Sequence, residues 1–465
     1  MEQRHVMVMM CVCATTICYA ARFNVSVAII PMAGEFSWSK KDQGHILAAF
    51  FYGYITTGFA GGYLASHYGG YWVLNVVVAL WSIVTYFTPA AARMGLHPLI
   101  LCRVLTGVCQ GATFPTLYTL TAERVPLAER TRSISAIQSG CFVGSCLTIL
   151  TSPLLMEYYG WEMVFLATGA AGFVWNVAWT FLVSSERPDP DTLEAACMQA
   201  KPEASEAGGG ETGIAEKVSG ERETKEASEG DLLGLGKHGG AGTGPSKDEE
   251  SAQTKGDQEE DTMPFSLAQA WHQLPVLSLL ISQFSHNWNI YTLLSWLPTY
   301  VSEVLGMQAS HMGVVVFPYA TMAVSGVFAG WWADHFIAKG YDVALVRKVL
   351  TGIGMILPAM IMPVFGAIMD AKIAIALLCV LMGLATFNSA GALTNHLDIA
   401  PRHAGKLQAL TNTVATIPGM VSVTITGFIL HHFESWELVW ILCSVMMTIG
   451  ALPFLVFGKG KTMFV

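Results

Sequence analysis

Apolar residues fall in long blocks along this chain, each bounded by short polar or Gly/Pro-containing segments. A helix needs about 20 mostly apolar residues to cross a bilayer core. Blocks of that kind lie at 6–30, 45–65, 72–92, 98–121, 133–155 and 162–183, then at 275–301, 310–333, 346–369, 372–394, 405–430 and 437–458. The pattern predicts an all-α membrane protein with twelve transmembrane helices. Two six-helix halves are expected at 1–183 and 266–465, with a linker at 184–265. The first block carries Arg4, Ala20 and Ala21, as a cleavable leader would. Its apolar run resumes after Arg22 through Val25–Ile30, so it is expected to remain as a span. The sequon Asn24-Val25-Ser26 lies inside that span and is not expected to be glycosylated.

Composition sharpens the picture. The 465 residues are 53% hydrophobic and 13% charged, with a mean hydropathy of +0.47. A soluble domain carries about 25% charged residues, so a water-soluble globule is excluded. The net charge of −9 argues against nucleic-acid binding, and it conceals two populations. Between Glu186 and Asp261 stand 20 acidic and 8 basic residues, whereas the rest of the chain holds 14 acidic and 17 basic ones. The acidic segment is rich in Gly, Ser, Glu and Lys, cannot bury a core, and is expected to be disordered. Ten scattered cysteines show no zinc-type spacing or disulfide framework and read as small packing residues.

Lys and Arg accumulate in cytoplasmic loops of membrane proteins. With both termini inside, the inner segments contain eleven basic residues (Arg4, Arg124, Arg130, Arg132, Lys339, Arg347, Lys348, Arg402, Lys406, Lys459, Lys461) against four outside (Lys40, Lys41, Arg93, Lys372). Termini and linker are therefore expected in the cytoplasm of a multi-pass integral membrane protein.

The two halves repeat each other. Gly62-Tyr63-Leu64-Ala65-Ser66-His67 ends span 2, and Gly330-Trp331-Trp332-Ala333-Asp334-His335 ends span 8. Parallel six-span repeats are the signature of the major facilitator architecture. The first hexapeptide resembles that superfamily's loop motif, with Ser66 and His67 where an Asp and an Arg are usual; the second copy keeps Asp334, a candidate gating residue. Asp398, beside Arg402 at the end of span 10, reads as a second gate.

Ionisable groups inside spans are costly and point to function. Arg22 lies in span 1, Arg103 in span 4 and His286 in span 7, and no Asp or Glu lies well inside any span. Two buried guanidiniums without an acid need a counter-charge, and a transported anion supplies one to their planar, paired donors. The alternative is that the arginines snorkel or bond backbone carbonyls, and that His286 is a satisfied interior group. Asn388 in span 10 binds either substrate or a neighbouring helix. Tyr52 and Trp296 read as packing residues, and Gly140 and Gly144 as a close helix contact.

Arg22-Phe23-Asn24-Val25-Ser26, Phe50-Phe51-Tyr52-Gly53-Tyr54, Gly111-Ala112-Thr113-Phe114-Pro115, Leu297-Pro298-Thr299-Tyr300 and Asn395-His396-Leu397-Asp398 together resemble the anion:cation symporter family. That group includes vesicular glutamate, sialin, type I phosphate and vesicular nucleotide transporters. The resemblance runs from about residue 17 to 458, outside the linker. It implies that Arg22 and Arg103 are substrate-linked, and that Tyr54 and Tyr291 line the pocket. Gln110 stands where glutamate-transporting members carry a Glu, and His286 where they carry an Arg, which makes glutamate a poor substrate. Gln110 and Leu294-Ser295-Trp296 are most similar to the nucleotide-transporting members, with plant-type phosphate transporters close behind.

The expectation is a secondary transporter of an organic anion, nucleotide or phosphate, driven by membrane potential, with proton- or sodium-coupled symport as the alternative. Its partners would be the small anion, lipid and a coupling ion (H⁺, Na⁺ or Cl⁻), in a monomer with no cofactor and no metal. An intramembrane enzyme would need a His/carboxylate cluster within the spans, which the sequence lacks. A transporter-like anion sensor stays open.

Overall fold

The structure, a computed structural model, describes residues 3–185, 267–307, 313–400 and 404–464. The acidic linker and Arg402 lie outside the described residues. Helices occupy all twelve positions at which the apolar pattern places spans. Spans 1 to 3 are Gln3–Phe36, Lys40–Tyr68 and Gly70–Met94; spans 5 and 6 are Leu127–Tyr159 and Glu162–Leu182. Spans 7 and 8 are Leu274–Glu303 and Val316–Ala338; spans 11 and 12 are Ala404–His432 and Trp436–Phe457. Several helices outrun the apolar blocks because polar residues cap their first turns. Ser39 and Asp42 form a reciprocal capping box at span 2, and the Ser435 hydroxyl accepts from the Leu438 N–H at span 12.

Three spans are not single helices. Span 4 divides into Leu96–Gly111 and Thr113–Arg124, because Pro115 has no N–H to donate to the Gly111 carbonyl one turn back. Span 9 runs Val343–Thr351, then a π turn over Gly352–Ile356, then Leu357–Gly366. Span 10 breaks into Ala371–Ala385, Phe387–Ala390, a 3₁₀ turn at Ala392–Thr394, and Asn395–Ile399. The two irregular stretches face each other, so closely that a Cβ on Gly354 would stand 2.3 Å from the Asn388 nitrogen. Among the described residues nine helices are long and apolar enough to cross a membrane. Spans 2, 4 and 7 fall short because small and polar residues replace aliphatic ones along them, Arg103 and Gln110 among them in span 4.

Close glycine contacts set the packing within the first half. A Cβ on Gly144 would lie 2.2 Å from the Thr16 carbonyl oxygen, so spans 1 and 5 touch through backbone, as their small-residue spacing predicts. The two halves meet at one end. There one apolar cluster takes in Ile29, Met32, Leu47, Trp296, Tyr300 and Val423 from both. Gly44 of span 2 approaches Gly427 of span 11, and Lys40 donates to the Glu303 carboxylate across the seam. At the opposite end, where spans 1 and 7 begin, the apolar clusters separate by half. Cys11, Leu74 and Leu120 pack in one; Val276, Ile399 and Leu407 pack in another. The second of these is closed by residues beyond span 12. The Ile399 carbonyl accepts from the Met463 and Phe464 N–H groups at 2.8 and 3.2 Å, and both side chains are buried.

Candidate functional site

Tyr19 and Arg22, three residues apart, share one face of span 1; Phe50 and Tyr54, four apart, share one face of span 2. Glycines bring span 2 against span 4. A Cβ on Gly53 would stand 2.0 Å from the Val104 carbonyl oxygen, and one on Gly107 would stand 2.0 Å from that of Phe50. Only at this spacing can Phe50 reach Arg103, one turn from Gly107.

The result is an aromatic nest around two cations. The Arg22 Cζ sits 4.7 Å from the Tyr19 ring centroid, 4.6 Å from Phe50 and 4.8 Å from Tyr54. The Arg103 Cζ lies 5.5 Å from the same Phe50 ring. Arg103 is buried and within electrostatic reach of Arg22, which keeps part of its surface accessible. Neither guanidinium makes a hydrogen bond or ion pair among the described residues. The Nε and Nη2 of Arg22 and the Nε of Arg103 are buried without a partner. Unpaired buried donors of this kind carry a desolvation penalty that an anion would relieve.

The other expected site residues take different places. Tyr54 is in the nest. Tyr291 of span 7 packs against Phe51 with the rings tilted at 59° and their centroids 4.6 Å apart, approaching from the other half. Gln110 is fully buried and donates from Nε2 to the Cys18 carbonyl at 3.3 Å, tying span 4 to span 1; its Oε1 is free. His286 is buried with an unpartnered Nδ1, and it makes no ion pair among the described residues. Asn388 is buried with both amide atoms unpartnered, and its backbone and Cβ abut Gly354 in the seam between spans 9 and 10. Asp334 is exposed at the end of span 8. Asp398 is held by partners of its own. Its carboxylate accepts from Arg347 Nε at 2.8 Å and Nη2 at 3.2 Å, and from Asn395 Nδ2 at 3.2 Å.

Arg347 therefore needs correction as a loop residue. Span 9 begins before it, and the side chain is buried, bonding the Ala390 carbonyl as well. Arg124 likewise is buried at the end of span 4, donating to the Ser184 and Ser185 carbonyls over the Tyr71 ring. Arg347 sits one turn inside the start of its helix, and Arg124 is the last residue of its own. Among the packing residues, Trp296 is fully buried and donates to the Val423 carbonyl, whereas Tyr52 is exposed. Asn24 is buried and donates to Thr168. Sequence reasoning missed Tyr19 and Phe50; their signal was the i, i+3 spacing from Arg22 and the i, i+4 spacing from Tyr54.

Comparison with known proteins fits this arrangement. The chain is 33% identical over 99% of its length to "Probable anion transporter 1, chloroplastic" of Oryza sativa subsp. japonica, covering 77% of that protein. It is 32% identical over 99% of its length to "Sodium-dependent phosphate transport protein 1, chloroplastic" of Arabidopsis thaliana, covering 80% of it. It is 29% identical over 96% of its length to human sialin, covering 87% of it. A solved bacterial homologue of the lysosomal transporter Spinster, in an inward-facing state, superposes with a TM-score of 0.72 at 13% identity, over 98% of this chain and 97% of that one. The model of the Major Facilitator Superfamily matches residues 11–423. This chain, with two helical halves joined at one end and parted at the other, belongs to the Major Facilitator Superfamily.

Proposed function

We propose that this protein is a secondary transporter of small anions that works by alternating access of its two halves. One observation carries the reading: Arg103 stands buried and Arg22 partly so, mid-span, with orphaned donors and no carboxylate partner among the described residues. A permanent acid there would make a stable ion pair; its lack leaves the counter-charge to a diffusible anion. Relatives described as anion and sodium-dependent phosphate transporters, with sialin, support an anion as the cargo. The basic-residue bias supports termini in the cytoplasm, which makes the parted end the cytoplasmic one and this state inward-open. The 184–265 segment would then be a cytoplasmic connector. Sodium or proton coupling is the second reading, favoured by the sodium-dependent relative.

Driving force separates the two. Each charge moved across the membrane is worth about 2.3 kcal/mol per 100 mV, and Gln110 cannot carry a proton. Purified protein in liposomes is given labelled phosphate, ascorbate, sialate and ATP under a potassium–valinomycin potential at equal pH without sodium. Uptake under the inside-positive potential alone supports the first reading. Uptake only with a sodium or pH gradient overturns that driving force and selects symport.

A further inference from the structure

We propose that Phe50 is the positioning residue of the anion site, holding the two guanidiniums in a shared spacing through the face of its ring. The inference rests on the anion-site reading above. Two like charges in a low-dielectric span repel, and here no acid separates them. Something neutral has to hold them without competing for the anion. An aromatic face does this, since its quadrupole attracts a cation yet forms no ion pair for the substrate to break.

Among the described residues Phe50 is the ring that both cations share, at 4.6 Å from Arg22 and 5.5 Å from Arg103. The guanidinium carbons are thus no farther apart than the sum of these distances. Tyr19 and Tyr54 face Arg22 alone. The ring is also tightly packed. It is 1% exposed, it stands edge-on to Phe51 at 5.4 Å, and its backbone is pressed against span 4 at Gly107. Those anchors fix it to the same helix that carries Arg103. An ordinary core phenylalanine would need the volume of the ring; a positioning one needs its face.

Volume and face can be varied separately. Phe50→Leu keeps an apolar filling and removes the face. Trifluorophenylalanine placed at position 50 by codon suppression keeps the shape and drains the face, so it serves even if Phe50→Leu does not fold. Each variant is reconstituted and assayed with labelled phosphate, ascorbate, sialate and ATP beside wild type and Arg103→Ala. The expected result is KM raised about tenfold for Phe50→Leu and about threefold for the fluorinated ring, with Vmax near wild type. Wild-type KM in the fluorinated protein, with Arg103→Ala inactive, would overturn this inference and leave the anion site standing. Full activity in Arg103→Ala, or no uptake of any of the four by wild type, would overturn the anion site and this inference with it.

Discussion

Arg347 of the second half and the Arg22–Arg103 pair of the first are treated in opposite ways. In the second half Arg347 is paired: two bonds to the Asp398 carboxylate and one to the Ala390 carbonyl engage all three of its nitrogens. In the first half Arg22 and Arg103 meet only ring faces and keep orphaned nitrogens. A guanidinium that owns its carboxylate is a fastening between spans 9 and 10. One that lacks a carboxylate is available to something that comes and goes.

The sharpest way to break this contrast is to remove a charge from each site. Arg103→Ala should abolish uptake in liposomes at unchanged expression and melting temperature, because the anion loses its partner. Arg103→Lys should restore little, since an ammonium cannot reproduce a planar pair of donors. Asp398→Ala should do the reverse, lowering stability by about 3–5 kcal/mol through an unpaired buried cation while leaving KM of the protein that survives unchanged. Thermal unfolding in detergent, read beside uptake, separates the two outcomes. If Arg103→Ala destabilised and Asp398→Ala only weakened anion binding, the contrast would be inverted.

A smaller effect is expected at the seam between the halves. The Lys40–Glu303 pair is partly exposed, so it is worth about 0.2–1 kcal/mol. Lys40→Ala should shift the ratio of open states no more than about fivefold, measured by spin-label distances across the parted end. The Lys40→Glu/Glu303→Lys double exchange should return it. Smallest of all is His286→Gln, which should leave potential-driven uptake within about twofold, because among the described residues that imidazole makes no ion pair; complete loss would make His286 part of the transport path.

Much of this arrangement could be read from the chain. The lengths of the apolar blocks fix the spans, and an arginine far from any acid stands out in so apolar a sequence. Other features depend on distances between helices that no local pattern records. The fastening role of Arg347 needed span 9 to begin three residues earlier than its apolar block. The break in span 10 at Thr386 has no proline to announce it, and it places Asn388 against the π turn of span 9. Phe50 looked like one more phenylalanine in an apolar run, and only the glycine contacts of spans 2 and 4 bring it to both cations.

The clasp of Met463 and Phe464 on Ile399 bears on how the protein is made. Spans 7, 10 and 11 enter the bilayer well before those residues leave the ribosome, and domains generally consolidate in the order of their synthesis. The first half can complete its packing while the second is still being threaded. The second cannot seal the cluster around Ile399 until Phe464 has emerged, after every span is in place. A ribosome stalled just past span 12 would therefore hold a finished first half beside an unsealed second one, and that is the species on which quality control would act.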